Sequence, residues 1–351
     1  MNFCFKFPAV KGVQAKKEYY IAMVPMKMLN KIFQEDEEVV LPEYRAQRRL
    51  NENRIPEICK YIVENEESYV FSALAASIDG DFTFIEIDES GLGILEVDMS
   101  SRFLINDGQH RKAAILEAIK EKKELGEETI SVVFYEDKGL ARSQQMFTDL
   151  NKHAVKTSNS IAELYDSRDP LAVITRNVIS KISFFNEYVD KEKDNLGKYS
   201  SALFTLNTFY NANKRIVGKT RCDNKAEEFL TTYWNYIVTN MVPWKEMVSK
   251  ELSKTELREK YIATQAVVIQ AFGRVGASVY ENKEYLTEDV FSKLKNINWK
   301  RSNERWKQRV IRNDGRMINN SLAIMLTSNE IKKILDLKLN GEELEAENKI
   351  N

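Results

Sequence analysis

Five consecutive residues, Asp107-Gly108-Gln109-His110-Arg111, concentrate the chemistry that this sequence offers. Gln109 brings two donors and an acceptor, His110 can donate or transfer a proton near neutral pH, and Arg111 can fork two hydrogen bonds onto phosphate or carboxylate. Asp107 is repelled by a bare phosphate, so it suits a helix cap, a magnesium ligand, a partner for Arg111 or an acceptor that orients a water. The same residues also make a plain Asx cap followed by an exposed polar first turn, and spacing leaves both readings open.

The elements around the pentad set where it lies. Leu104 and Ile105 suit a buried strand entering it, Gly108 permits a turn that a Cβ would strain, and Ala113, Ala114, Leu116 and Ala118 are helix formers beyond it. The pentad is therefore expected at a helix N-terminus, where unpaired N–H groups and the positive end of the macrodipole favour an anion. Asn106 and Gly108 join it as phosphate-binding positions. Strand patterns cover 3–13, 18–25, 69–78, 82–87, 93–97, 103–105 and 129–135, and helical patterns cover 26–33, 47–64, 109–123 and 140–150. That alternation is expected of a mixed α/β domain.

Two flanking helices bring further polar groups. Arg48 and Arg54 lie on the 47–64 segment, where they either hold phosphate opposite the pentad or pair with surface acids such as Glu52. Asn151 and Lys152 end the 140–150 helix, where an amide and a cation serve equally as ligand contacts or as a C-terminal cap. Beyond the turn at Asp166-Ser167-Arg168-Asp169-Pro170 strand alternation gives way to helical patterns over 171–183, 203–213, 226–241, 256–272, 288–294 and 302–310. Two basic stretches stand out there. Lys214 to Arg221 carries four cations and no acid and reads as a loop or short hairpin. In 300–312, Trp299, Trp306 and Val310 fall at the spacing of a buried stripe, with Arg301, Arg305, Lys307, Arg309 and Arg312 on the remaining faces as a phosphate-tracking, DNA-binding set.

The pentad resembles the signature of the DGQHR-domain family, and the chain as a whole resembles the DndB family of DNA sulfur modification proteins. Gln47-Arg48-Arg49-Leu50-Asn51-Glu52-Asn53-Arg54-Ile55, followed by Ile58, Tyr61 and Ile62, and downstream Phe147-Thr148-Asp149-Leu150-Asn151-Lys152, extend the likeness. That domain is similar to the ParB and sulfiredoxin domains, whose corresponding turn binds nucleotide phosphates. Sulfiredoxins carry a catalytic Cys where this chain has Gln109, so sulfinic acid reduction is not implied. The resemblance implies an α+β architecture: a ParB/sulfiredoxin-like mixed α/β domain over 1–166, then a mainly α-helical domain over 167–351.

Composition bounds the rest. The chain has 351 residues, enough for two cores, 30% of them charged, and a formal net charge of −1, so any nucleic-acid surface must be a local patch. Cys4, Cys59 and Cys222 are widely separated and show no CxxC spacing, which fits a reduced cytoplasmic protein, and with His110 and His153 as the two histidines no metal site is expected. No apolar run approaches the roughly 20 residues of a membrane span, so no membrane partner is expected.

The resemblance implies a DNA-binding transcriptional regulator or accessory protein of a DNA phosphorothioation system, responsive to nucleotide if the turn binds one. Its implied partners are double-stranded DNA and other DNA sulfur modification proteins, with self-association left open. From the enzyme class comes an alternative, a nucleoside triphosphatase of the same anti-phage modification system. In it Arg111 and Gln109 hold phosphate oxygens, Asp107 places Mg2+ or the attacking water and His110 assists proton transfer, so NTP with Mg2+ is the cofactor that this reading would add. A third reading makes the turn structural and the helical domain a platform for partner proteins.

Overall fold

The structure, a computed structural model, describes residues 3–33, 52–136, 145–146, 148–149, 157–197 and 200–349. The chain divides into two compact units, Met1–Val155 and Lys156–Asn351.

In the first unit, β1 (Cys4–Gln14), β2 (Lys17–Pro25), β3 (Leu74–Asp79), β4 (Phe82–Glu86), β5 (Leu92–Asp98), β6 (Arg102–Asp107) and β7 (Thr129–Glu136) form one sheet. Its order is β4-β5-β1-β2-β7-β3-β6, with every neighbouring pair antiparallel except β3 and β7. Alternation decides the inner face: Phe7 and Ala9, Tyr20, Ala22 and Val24, Leu95 and Val97, and Ile130, Val132 and Phe134 are all buried. The short α1 (Leu29–Ile32), α2 (Ile55–Glu64) and α3 (Gln109–Glu121) complete that core through Leu29, Ile32, Cys59, Ile62, Ala114, Ile115 and Ala118. Of the expected 47–64 helix, the described part is a 3-10 turn at Glu52–Arg54 followed by α2, with Pro56 in its first turn.

One expected strand is shorter than its pattern. Residues 69–73 precede β3 without joining the ladder; the Tyr69 and Val70 amides donate to Asn65 and Tyr61, and the Ser72 and Ala73 carbonyls accept hydrogen bonds from Arg111. Further along, Ala75 pairs with Asp107 and Ala76 with Ile105, so Asn106 is an extra residue on β6. This bulge explains why Ile105 and Asn106 are both buried although they are consecutive.

The second unit is mainly helical, as the α+β class requires. Its helices are α4 (Asn159–Tyr165), α5 (Pro170–Lys181), α6 (Ser183–Tyr188), α7 (Leu206–Val217), α8 (Asn224–Asn240), α9 (Val242–Val248), α10 (Lys254–Lys260), α11 (Ala266–Glu281), α12 (Glu288–Ser292), α13 (Ser321–Ile334) and α14 (Gly341–Asn348). A parallel pair of two-residue strands, β8 (Val189–Asp190) and β9 (Phe204–Thr205), interrupts them. Side-chain caps start many of them, among them Asp169 on α5, Thr205 on α7, Asp223 on α8 and Asn320 on α13. At the centre Trp234 donates to Asn213, whose amide reaches Thr175, so this buried polar chain has partners. Helices α7 and α11 run parallel and very close: a Cβ on Gly273 would lie 2.9 Å from the Ala212 carbonyl oxygen, and one on Gly276 2.7 Å from Ile216 Cδ1.

Three expectations for this unit are corrected. The 256–272 helix is two, α10 and α11, broken over 261–265. The segment 302–310 is a 3-10 turn (Glu304–Trp306) followed by further turns, with Gln308 at φ 62°, rather than a helix. Trp299 and Trp306 stack at 5.5 Å and are fully buried, so their spacing marked core but came from a chain that folds back on itself. The 214–221 stretch is not a hairpin: 214–217 is the last turn of α7, which Gly218 ends at φ 72°.

Candidate functional site

The pentad lies where the sequence places it, between the last residue of β6 and the first turn of α3. Gly108 is the N-cap residue at φ 102°, and a Cβ there would stand 2.3 Å from Leu74 Cδ2 and 3.2 Å from Arg111 Nη2. Glycine is thus demanded both by the backbone conformation and by the crowding. It has no side chain, so the N-cap residue itself offers the first-turn amides of α3 no side-chain acceptor.

Arg111 points back across this corner. Its Nη1 donates to the Ser72 carbonyl at 2.6 Å, the Ser72 hydroxyl at 2.5 Å and the Ala73 carbonyl at 2.9 Å, while Nη2 donates to Asp107 Oδ2 at 2.5 Å. The Arg111 side chain is 17% exposed and that of Asp107 44% exposed. The guanidinium therefore ties the approach to β3 to the end of β6, and the Asp107 carboxylate is its counter-ion. In the nucleoside triphosphatase reading Arg111 would have to turn a fork onto phosphate, whereas here both terminal nitrogens are used within the protein. Of the four roles open to Asp107 in the sequence, partner for Arg111 is the one its geometry displays.

Gln109 and His110 are half-buried in the first turn of α3. Asn106 is 1% exposed; its amide donates to Ser77 Oγ at 2.7 Å and to Met146 Sδ at 3.2 Å, and its Oδ1 is buried with no partner among the described residues. Arg54 is exposed and ends the 3-10 turn before α2. Arg48, Asn151 and Lys152 lie outside the described residues.

The proposed DNA-contacting set is dispersed by the turns that replace its helix. Arg301 donates to the Arg258 carbonyl at 3.1 Å and the Tyr261 carbonyl at 3.4 Å. Arg305 pairs with Glu330 at 2.6 Å, and Lys307 with Glu304 at 2.6 Å. Arg309 is largely buried and binds Glu347 through both terminal nitrogens, at 2.5 and 2.8 Å, with Glu330 at 3.5 Å. Burial opposes its charge, but those two carboxylates outweigh it and raise the arginine pKa. Arg312 is exposed. Three of these five cations thus hold the fold together, and Lys307 and Arg312 project to solvent.

The sequence marks Lys214 and Arg215 within a basic stretch, but not that they line a second polar feature with Asn211 and Gln270 beside the α7–α11 seam. Its signal was the run of cations without an acid at 214–221. Among the described residues no group of three or more His, Cys, Asp or Glu side chains is arranged to hold a metal, and no helix is long and apolar enough to cross a membrane.

The chain matches the family model DndB, described as DNA-sulfur modification-associated, over residues 7–338. No curated protein matches it. No solved structure matches it. The family match begins within β1, passes through the turn at Asp107–Arg111 and ends just before α14, so it takes in both units: the chain belongs to the DndB family, which is associated with DNA sulfur modification.

Proposed function

We propose that the chain is a DNA-binding transcriptional regulator or accessory protein of a DNA phosphorothioation system. The observation that carries this reading is the DndB-family match across both units. A net charge of −1 means that contact with duplex DNA must come from a local set of cations meeting phosphates, with affinity that falls steeply as salt rises. Lys307 and Arg312, exposed at the surface of the helical unit, are the members of the 301–312 set best placed to contribute. The turn at Asp107–Arg111 acts in this reading as the brace that fixes α3 to the sheet, and other proteins of the sulfur modification system are the partners.

The test is a reporter placed behind the DNA that lies upstream of this chain's own reading frame. Expression should rise severalfold when the chain is deleted and fall again when it is supplied in trans. Expression unchanged by either manipulation would reject repression.

A further inference from the structure

The seam between α7 and α11 carries an arrangement that neither the fold nor the regulator reading uses. Because Gly273 and Gly276 let the two helices come close, side chains on their outer edges converge on a groove of about 440 Å³. That volume is within the ~300–1,000 Å³ typical of ligand sites. Lys214 and Arg215 are the charged residues of its lining, and Asn211 and Gln270 supply amides.

Arg215 is held in place before any ligand arrives. Gln270, 9% exposed, donates through Nε2 to the Thr208 carbonyl at 2.8 Å, which fixes the direction of its Oε1. That oxygen accepts from Arg215 Nε at 2.9 Å. The guanidinium is gripped by one edge, and its two terminal nitrogens have no partner among the described residues. This is the geometry that presents a fork to an oxyanion.

The local charge is also unbalanced. Neither Lys214 nor Arg215 pairs with a carboxylate among the described residues. Arg274, one turn beyond Gln270 on α11, lies close enough to repel Arg215, and burial together with this neighbour lowers the Arg215 pKa. Arg274 has Glu343 at 3.2 Å, but that carboxylate already holds Lys332 Nζ at 2.7 and 2.9 Å. The C-terminal end of α7 favours cations in its last turn and so explains why Lys214 and Arg215 stand there. It does not explain the open groove or the Gln270 contact that orients the exposed Arg215 side chain.

We propose that this groove is a phosphate-binding site, in which the terminal nitrogens of Arg215 fork onto one phosphate of a nucleotide unit and Lys214 supplies a second positive charge. The phosphate can belong to a free nucleotide or to a nucleic-acid strand, since the recognising chemistry is the same. The site does not depend on the regulator reading.

Binding to the full chain is measured by fluorescence anisotropy with two probes, a fluorescent ATP analogue and a short labelled DNA duplex. The variants are Lys214→Gln/Arg215→Gln, Lys214→Gln alone, and the charge-matched control Lys245→Gln/Lys295→Gln, each checked by thermal melting. The groove variant should lose about tenfold or more in affinity for at least one probe, and for the duplex the slope of log affinity against log salt should flatten by about two. Lys214→Gln alone, at an exposed position, should lose a smaller part of the same affinity, and the control should bind as wild type does. Loss for the duplex assigns the site to a strand phosphate, and loss for ATP assigns it to a free nucleotide. Wild-type chain that binds neither probe, or groove variants that bind no worse than the control, would overturn the proposal. ATP binding lost in the groove variant, with no preference of the wild type for its own upstream DNA, would reject the regulator reading and leave the site standing.

Discussion

At Arg111 a single guanidinium meets Ser72, Ala73 and Asp107, contacts that support the structural reading of the turn. Truncating it leaves two carbonyls and a carboxylate without their donor, so Arg111→Ala should cost about 1.5–3 kcal/mol of stability, the range for hydrogen bonds to a charged group. Urea denaturation measures this. Arg111→Lys should recover only part of the loss, because an ammonium cannot serve acceptors spread across a planar fork. The same preparations decide the hydrolase alternative: phosphate release from ATP, GTP and CTP should be indistinguishable between wild type and Asp107→Ala. An unshifted urea midpoint for Arg111→Ala, or phosphate release abolished by Asp107→Ala, would return the pentad to chemistry. The location of this turn was readable because Gly108, an apolar strand before it and alanines after it are local signals. The Asp107–Arg111 pair was among the alternatives that the residues offered, but the Ser72 and Ala73 acceptors were not readable, since they stand 39 and 38 positions away in the chain.

Among the elements, α13 and α14 show how charge can serve as core. Burial alone would raise the pKa of Glu347, but hydrogen bonds from Arg309, Lys333 and Asn329 outweigh it and pull the value down to about 2. The folded value lies below the ordinary carboxylate value of about 4.3, so this contribution is present above that pH and is lost as pH falls through about 2. Glu163 on α4 works in the other direction: burial, with Asp194 and Asp169 nearby, raises its pKa to about 8. Its contribution is complete below the unfolded value and is lost as pH rises through about 8. Urea midpoints measured across pH should therefore show Glu163→Gln gaining on wild type as pH rises toward 8, and Glu347→Gln costing most near neutrality and progressively less in acid. Wild-type and variant curves that run parallel would contradict both assignments. Sequence pattern located most strands because alternation is a property of each strand alone. It failed over 302–310, where Trp299, Trp306 and Val310 have helical spacing, yet the chain turns at Gln308 and Arg309 is drawn inward by Glu347 on another helix. A buried arginine becomes intelligible only with its carboxylate, and that partner lay 38 residues on.

For the molecule as a whole, two units with separate cores share a family match and a nearly neutral charge. In the proposed reading, near-neutrality would confine contact with DNA to patches, so discrimination between sequences could not rest on general attraction to a polyanion. The measurement that tests this most directly is the affinity of the full chain for the duplex upstream of its own reading frame, set against a scrambled duplex of equal length across a salt series. A specific regulator should bind the upstream duplex at least about a thousandfold more tightly at physiological salt, with both affinities declining as salt rises. Equal affinity for the two duplexes at every salt concentration would contradict the account.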